Sequence, residues 1–140
     1  MVEFVLDPQL EKDSMWITDL PLCTVRLIND MNYPWLILVP KVANICEVIE
    51  LSSQEQQVLW SESAMVSQVI THLFTPDKLN LAALGNMVPQ LHLHHIARFK
   101  DDVSWPKPIW GQFPAKPYVQ SELNKRIVLI QEALNKGAKQ

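Results

Sequence analysis

The segment Met87-Val88-Pro89-Gln90-Leu91-His92-Leu93-His94-His95-Ile96-Ala97-Arg98 constrains the fold of this chain more than any other. It holds three of the four histidines. Side chains on a β-strand alternate between faces. Gln90, His92 and His94 then point one way, and Leu91, Leu93 and His95 the other. One face offers imidazoles, which titrate near neutral pH; the other is mostly apolar. The pattern predicts a strand with a core side and a chemical side.

Composition narrows the setting. A chain of 140 residues suffices for one domain with a sizeable core, and an apolar fraction of 48% is ordinary for a globular protein. The formal net charge of −3 supplies no basic footprint for duplex nucleic acid, so no nucleic-acid partner is expected. Cys23 and Cys46 form neither a CxxC pair nor a disulfide framework. The start, Met1-Val2-Glu3-Phe4, lacks a basic flank followed by an apolar stretch, and no apolar run is long enough to span a membrane. The expectation is a cytoplasmic, single-domain protein with no membrane partner.

Local signals place the elements. Asp7-Pro8 opens a short helix from Pro8 to Asp13. Met15-Trp16-Ile17 is a candidate strand, and Leu22 to Ile28 a second, with Cys23, Val25 and Leu27 on one face. Asn29 to Pro34 has turn chemistry. Trp35 to Val39 is a nearly continuous apolar run, as in a central strand buried on both faces. Ser52 and Glu55 have capping-box spacing before a helix whose apolar residues run from Val58 to Leu73, ended by Thr75-Pro76-Asp77. Lys78 to Leu84 reads as a strand, Gly85 to Pro89 as a tight connection, and Leu91 to Arg98 as the histidine strand. A second long helix is predicted from about Ser121 to Asn135, with Gly137 as its stop. Separate long helices around a block of strands indicate an α+β class with an antiparallel sheet of about five strands.

With these elements in place, the chain resembles the histidine triad (HIT) family. The family motif, His-φ-His-φ-His-φ-φ with φ apolar, stands here as Gln90-Leu91-His92-Leu93-His94-His95-Ile96. Asp19-Leu20-Pro21, the Asn29-Asp30 turn and Leu36-Ile37-Leu38-Val39-Pro40-Lys41 extend the likeness over a core of about residues 14–100. The C-terminal Trp/Pro loop and helix, 101–140, carry fewer family-wide features. The first motif histidine is replaced by Gln90, and one φ position by His95.

The resemblance implies a HIT-like domain that hydrolyses a nucleotidyl compound at its α-phosphate through a covalent nucleotidyl-histidine. Dinucleoside polyphosphates and nucleoside phosphoramidates are the substrate classes, with a purine nucleotide expected and a homodimer as the assembly. His92 takes the nucleophile's role, its other ring nitrogen donating to the Gln90 carbonyl, which need not suffer from the altered side chain. His94 would contact the phosphate, and its retention favours a hydrolase over a nucleotidyltransferase. Asn86 is placed to bind a phosphate oxygen or the leaving group, and Asn29 and Asp30 the ribose hydroxyls. Asn80 reads as structural. No cofactor is expected, and Mg²⁺ enters only as a counter-ion of the substrate.

Other readings compete. His92 and His94 are also compatible with satisfied histidines on an exposed face, or with a shared metal ion. Carboxylates are missing from the segment until Asp101, and no second Cys/His cluster is near, so no metal site is expected. Loss of the first motif histidine raises a rival of another class, a catalytically weak nucleotide-binding or regulatory module. His95 reads as a hydrogen-bonded core residue, and His72 as a structural residue near a helix end, where a cation suits the dipole. Trp35 and Trp60 read as core, and Lys100-Asp101-Asp102 as a solvated turn. Trp105-Pro106-Lys107-Pro108-Ile109-Trp110-Gly111 is stiffened by two prolines. It reads as a loop packing its indoles on the body or a partner subunit; the alternative is a pocket wall stacking on a base.

Overall fold

A computed structural model describes residues 2–138. Asp7 caps the first helix by accepting the Gln9 N–H, and Pro8 sits in the first turn, where no N–H is needed. That helix, α1 (Pro8–Asp13), leads into an antiparallel sheet of five strands. They are β1 (Ser14–Asp19), β2 (Cys23–Ile28), β3 (Trp35–Pro40), β4 (Lys78–Ala82) and β5 (Leu93–Arg98), in spatial order β1-β2-β3-β5-β4. The apolar run at 35–39 is the central strand, paired with β2 on one side and β5 on the other. Ser52 and Glu55 form the reciprocal capping box that starts α2 (Ser53–Phe74), and Thr75 ends it in the left-handed conformation. The third helix, α3, runs Gln120–Ala138.

The alternation of each strand separates two layers. Val25 and Leu27 of β2, Leu36 and Leu38 of β3, and Leu93 and Ala97 of β5 join one core with Leu59, Val66 and Ile70 of α2 and Ile130 and Leu134 of α3. The opposite face carries Ile28, Ile37 and Val39, covered by Leu10 of α1 and by Phe4 and Leu6 before it. Glu62 is a carboxylate on the buried side of α2. Its two oxygens accept the N–H groups of Leu22 and Cys23, closing the turn between β1 and β2.

Several expectations need correction. The strands flanking the 83–92 connection are shorter than predicted, ending at Ala82 and beginning at Leu93. Gly85 turns with φ +79°, a conformation disfavoured for residues with a Cβ, and Pro89 has no N–H to give a ladder. Gly137 lies inside α3 rather than beyond it, where a Cβ would come into van der Waals contact with the Met65 side chain. Trp60 is 50% exposed, not core.

Lys100-Asp101-Asp102 is not simply a solvated turn. The Asp102 carboxylate pairs with buried Arg98 at 2.8 Å and accepts the N–H groups of Phe99, Ser104 and Trp105. Burial raises its pKa, but these bonds, led by Arg98, outweigh it and hold the carboxyl below its ordinary value. This knot anchors the Trp/Pro segment on the sheet. Ile109 is buried against Tyr33 and Ile96, while Trp105 and Trp110 are each half-buried.

Candidate active site

The face away from α2 and α3 holds a cavity of about 680 Å³. Its lining follows the strand order. Leu10 of α1 and Ile28 and Asn29 at the end of β2 form one end; Trp35, His94 and His92 lie in the middle; Leu84 to Val88, beyond β4, form the other end. Trp110 completes the wall beside His94, with ring centroids 5.1 Å apart in a T-shaped arrangement.

His92 precedes β5 by one residue, yet remains beside His94, with ring centroids 4.7 Å apart. Its Nδ1 lies 2.7 Å from the Gln90 carbonyl oxygen. A carbonyl only accepts, so Nδ1 carries a proton, and in the neutral ring Nε2 keeps its lone pair. His94 is arranged the other way. Its Nδ1 accepts the indole N–H of Trp35 at 2.9 Å, so in the neutral ring the proton sits on Nε2. Among the described residues no fully buried side-chain nitrogen or oxygen lacks a partner. The two Nε2 atoms, which have none, therefore reach the cavity. Burial, with smaller contributions from His92 and His95, pushes the His94 pKa down to about 3, so its ring is neutral at pH 7. With both rings neutral, a bare nitrogen and an N–H donor stand side by side.

His95 faces the other layer. Its Nδ1 donates to the Leu93 carbonyl and its Nε2 accepts from Ser63. Burial lowers its pKa to about 4, against the raising effect of that carbonyl. Both nitrogens are used inside the core, as the sequence pattern suggests.

The Gln90 side chain does not share the histidines' cavity. Its Oε1 accepts the Asp7 N–H and its Nε2 donates to the Val5 carbonyl. It pins the segment leading into α1, which carries Leu10 to the cavity wall. Asn29 lines the cavity, but Asp30 does not. The Asp30 carboxylate accepts from the N–H groups of Asn32 and Lys116, while Asn29 Oδ1 accepts from Tyr118. Together they strap residues 116–118 over the end of β2. Asn86 is exposed and lines the cavity; Asn80 is tied to Arg98 and is structural. Lys12 and Asp13 of α1 are the charged residues on the lining. No group of three His, Cys, Asp or Glu side chains among the described residues is arranged to hold a metal ion.

Two cavity residues depart from the favoured sequence reading. Trp35 is read there as core, but is half-buried with its N–H on His94. Trp110 is read first as packing, yet it lines the cavity and borders both His94 and Trp35, as the alternative of a pocket wall has it. The only advance signal for Trp35 is its parity with Ile37 and Val39, which does not reveal the strand it faces.

Comparison with known proteins agrees with this fold. The HIT domain family model matches residues 9–101. A histidine triad protein from Marinobacter aquaeolei is 44% identical with a TM-score of 0.94, over 96% of this chain and 98% of the other. One from Bradyrhizobium japonicum is 40% identical with a TM-score of 0.93, over 95% and 99%. One from Sinorhizobium meliloti is 43% identical with a TM-score of 0.90, over 93% and 96%. None of the curated proteins compared matches this chain. Since the family model spans the sheet, α2 and both cavity histidines, this chain belongs to the histidine triad (HIT) family.

Proposed function

We propose that the chain hydrolyses nucleotidyl compounds at the α-phosphate through a covalent intermediate on His92. The observation that carries this reading is the pairing of tautomers, with a lone pair on His92 Nε2 beside an N–H on His94 Nε2. His92 Nε2 attacks phosphorus, and a P–N bond forms as the bond to the leaving group breaks. The leaving oxygen or nitrogen departs with the electron pair and gains a proton from solvent. Water then attacks the same phosphorus and gives a proton to solvent; the P–N bond breaks with its electron pair returning to Nε2, which releases the nucleoside monophosphate and restores the imidazole. His94 donates to a phosphoryl oxygen as charge develops there.

The remaining lining fits a nucleotide laid across the strands. Leu10 and Ile28 offer an apolar wall for a purine base, and Asn29 lies beside them for the ribose. Asp30 is assigned to holding the strap, not the sugar. Asn86 stands at the other end for a phosphate oxygen or the leaving group. A dinucleoside polyphosphate and a nucleoside phosphoramidate both suit this layout. A homodimer and a cytoplasmic setting accompany the reading as family expectations.

A catalytically weak nucleotide-binding module is the second reading. It is favoured by Gln90, whose amide is committed to Val5 and Asp7 and adds no imidazole to the cavity. Acid-stable quenching is not suited to a phosphoramidate, so the test is an alkaline quench after mixing with radiolabelled adenylyl substrate. The hydrolase transfers AMP to His92; binding of AMP without transfer or turnover selects the module.

A further inference from the structure

We propose that Trp35 is a positioning residue, whose indole N–H fixes His94 as an Nε2–H donor facing the cavity. The assignment of that donor to a phosphoryl oxygen rests on the hydrolase reading above. The tautomer itself does not.

Trp35 is the first residue of β3 and pairs with Ile96 of β5. Its indole shares the face of His94, two residues away along β5, with ring centroids 5.6 Å apart. Indole Nε1 is a donor and never an acceptor, so the 2.9 Å contact is satisfied only by a lone pair on His94 Nδ1. Turning the imidazole over would set a carbon against the indole N–H and leave that donor bare, a costly change at a half-buried site. The doubly protonated ring would oppose one N–H to another. Trp110 borders His94 as well, at 5.1 Å, and packs edge-on against Trp35, at 6.3 Å, so the three rings form a triangle. The ring is thus held in orientation as well as in protonation.

The neighbouring histidine sharpens the point. A main-chain carbonyl makes His92 a bare Nε2, whereas the indole makes His94 a protonated Nε2. Two imidazoles of the same kind, one pleat apart, receive opposite roles from their Nδ1 partners. Partners of this kind set which nitrogen is protonated.

Trp35→Phe removes the N–H and retains an aromatic ring. Nitrogen-15 imidazole spectra of the uniformly labelled, substrate-free chain near pH 7 read the tautomers directly, with His94 identified by its loss in His94→Gln. The wild type should show His94 protonated at Nε2 and bare at Nδ1. Trp35→Phe should lose that exclusive pattern. Its kcat should fall about ten- to a hundredfold, the scale found when the orienting partner of a metal-bound imidazole is removed, with KM changing little. A wild-type His94 protonated at Nδ1, or an unchanged pattern in folded Trp35→Phe, would overturn the proposal. If the variant does not fold, the wild-type spectrum decides alone. The correct tautomer with no AMP transfer would remove only the hydrolase reading.

Discussion

His94 and His95 adjoin in sequence and face opposite layers of one sheet. Both are almost fully buried and held neutral, yet their surroundings differ in one respect. His95 has both ring nitrogens satisfied by Ser63 and the Leu93 carbonyl, and the apolar core of α2 and α3 surrounds it. His94 has one nitrogen satisfied by Trp35 and one open to the cavity. A completed imidazole stabilises the fold, and a half-completed one keeps a hydrogen bond available for a ligand. The same division runs through the two layers. The helix-covered face is closed by aliphatic packing, while the other is covered by α1, loops and tryptophans that leave about 680 Å³ between them.

The sharpest way to break this comparison is His92→Ala. If the open face is the chemical one, kcat should drop by several powers of ten with little change in melting temperature. Substantial turnover by the folded variant would dismiss His92 as nucleophile. His94→Ala should follow with a loss of about 10²–10³ in kcat, the scale of one donor to developing charge. An effect confined to KM would instead make His94 a ground-state contact.

Gln90 tests whether the edge of the open face acts through its backbone. Because the carbonyl holds His92, Gln90→Ala and Gln90→His should each change kcat by less than about a hundredfold, below the loss of a principal donor. Gln90→Ala should also loosen residues 4–7, visible as faster backbone hydrogen exchange at Asp7, whose N–H loses its acceptor. A kinetic loss as large as that of His92→Ala would show that the Gln90 amide is itself essential.

The smallest kinetic effect is expected across the sheet. His95→Ala should leave kcat within about tenfold, while orphaning Ser63 and costing about 1–3 kcal/mol in urea unfolding. Its pH dependence provides a second check. Burial lowers His94 to about 3 and His95 to about 4 from the ordinary 6.5 of a histidine, so below 6.5 the unfolded chain binds more protons than the folded one. Their contribution to stability is complete above about pH 6.5 and is lost as pH falls through that value towards the folded ones. His95→Ala removes one of the two sources, so its unfolding free energy should fall less steeply between pH 6.5 and 5. An unchanged slope would show that His95 is not held neutral by the core.

What the sequence alone determined is what neighbouring residues decide among themselves. Asp7-Pro8 set α1, the Ser52–Glu55 pair set the start of α2, and period two separated His92 and His94 from His95. The bond from His92 to the Gln90 carbonyl spans two residues, so it too was within reach of the motif. Tertiary structure decided the rest, because those partners are joined only by strand order and register. Trp35 and His94 are 59 positions apart, and Asp7 and Gln90 are 83. Asp102 illustrates the limit at short range as well. It lies four residues from Arg98, but their pairing became structurally important only once the sheet buried the guanidinium. Trp60 fails in the other direction, since an apolar side chain on a helix is exposed wherever no layer covers its face. A hydrogen-bonding group acquires its role from what it meets, and for the cavity that meeting happens across the sheet.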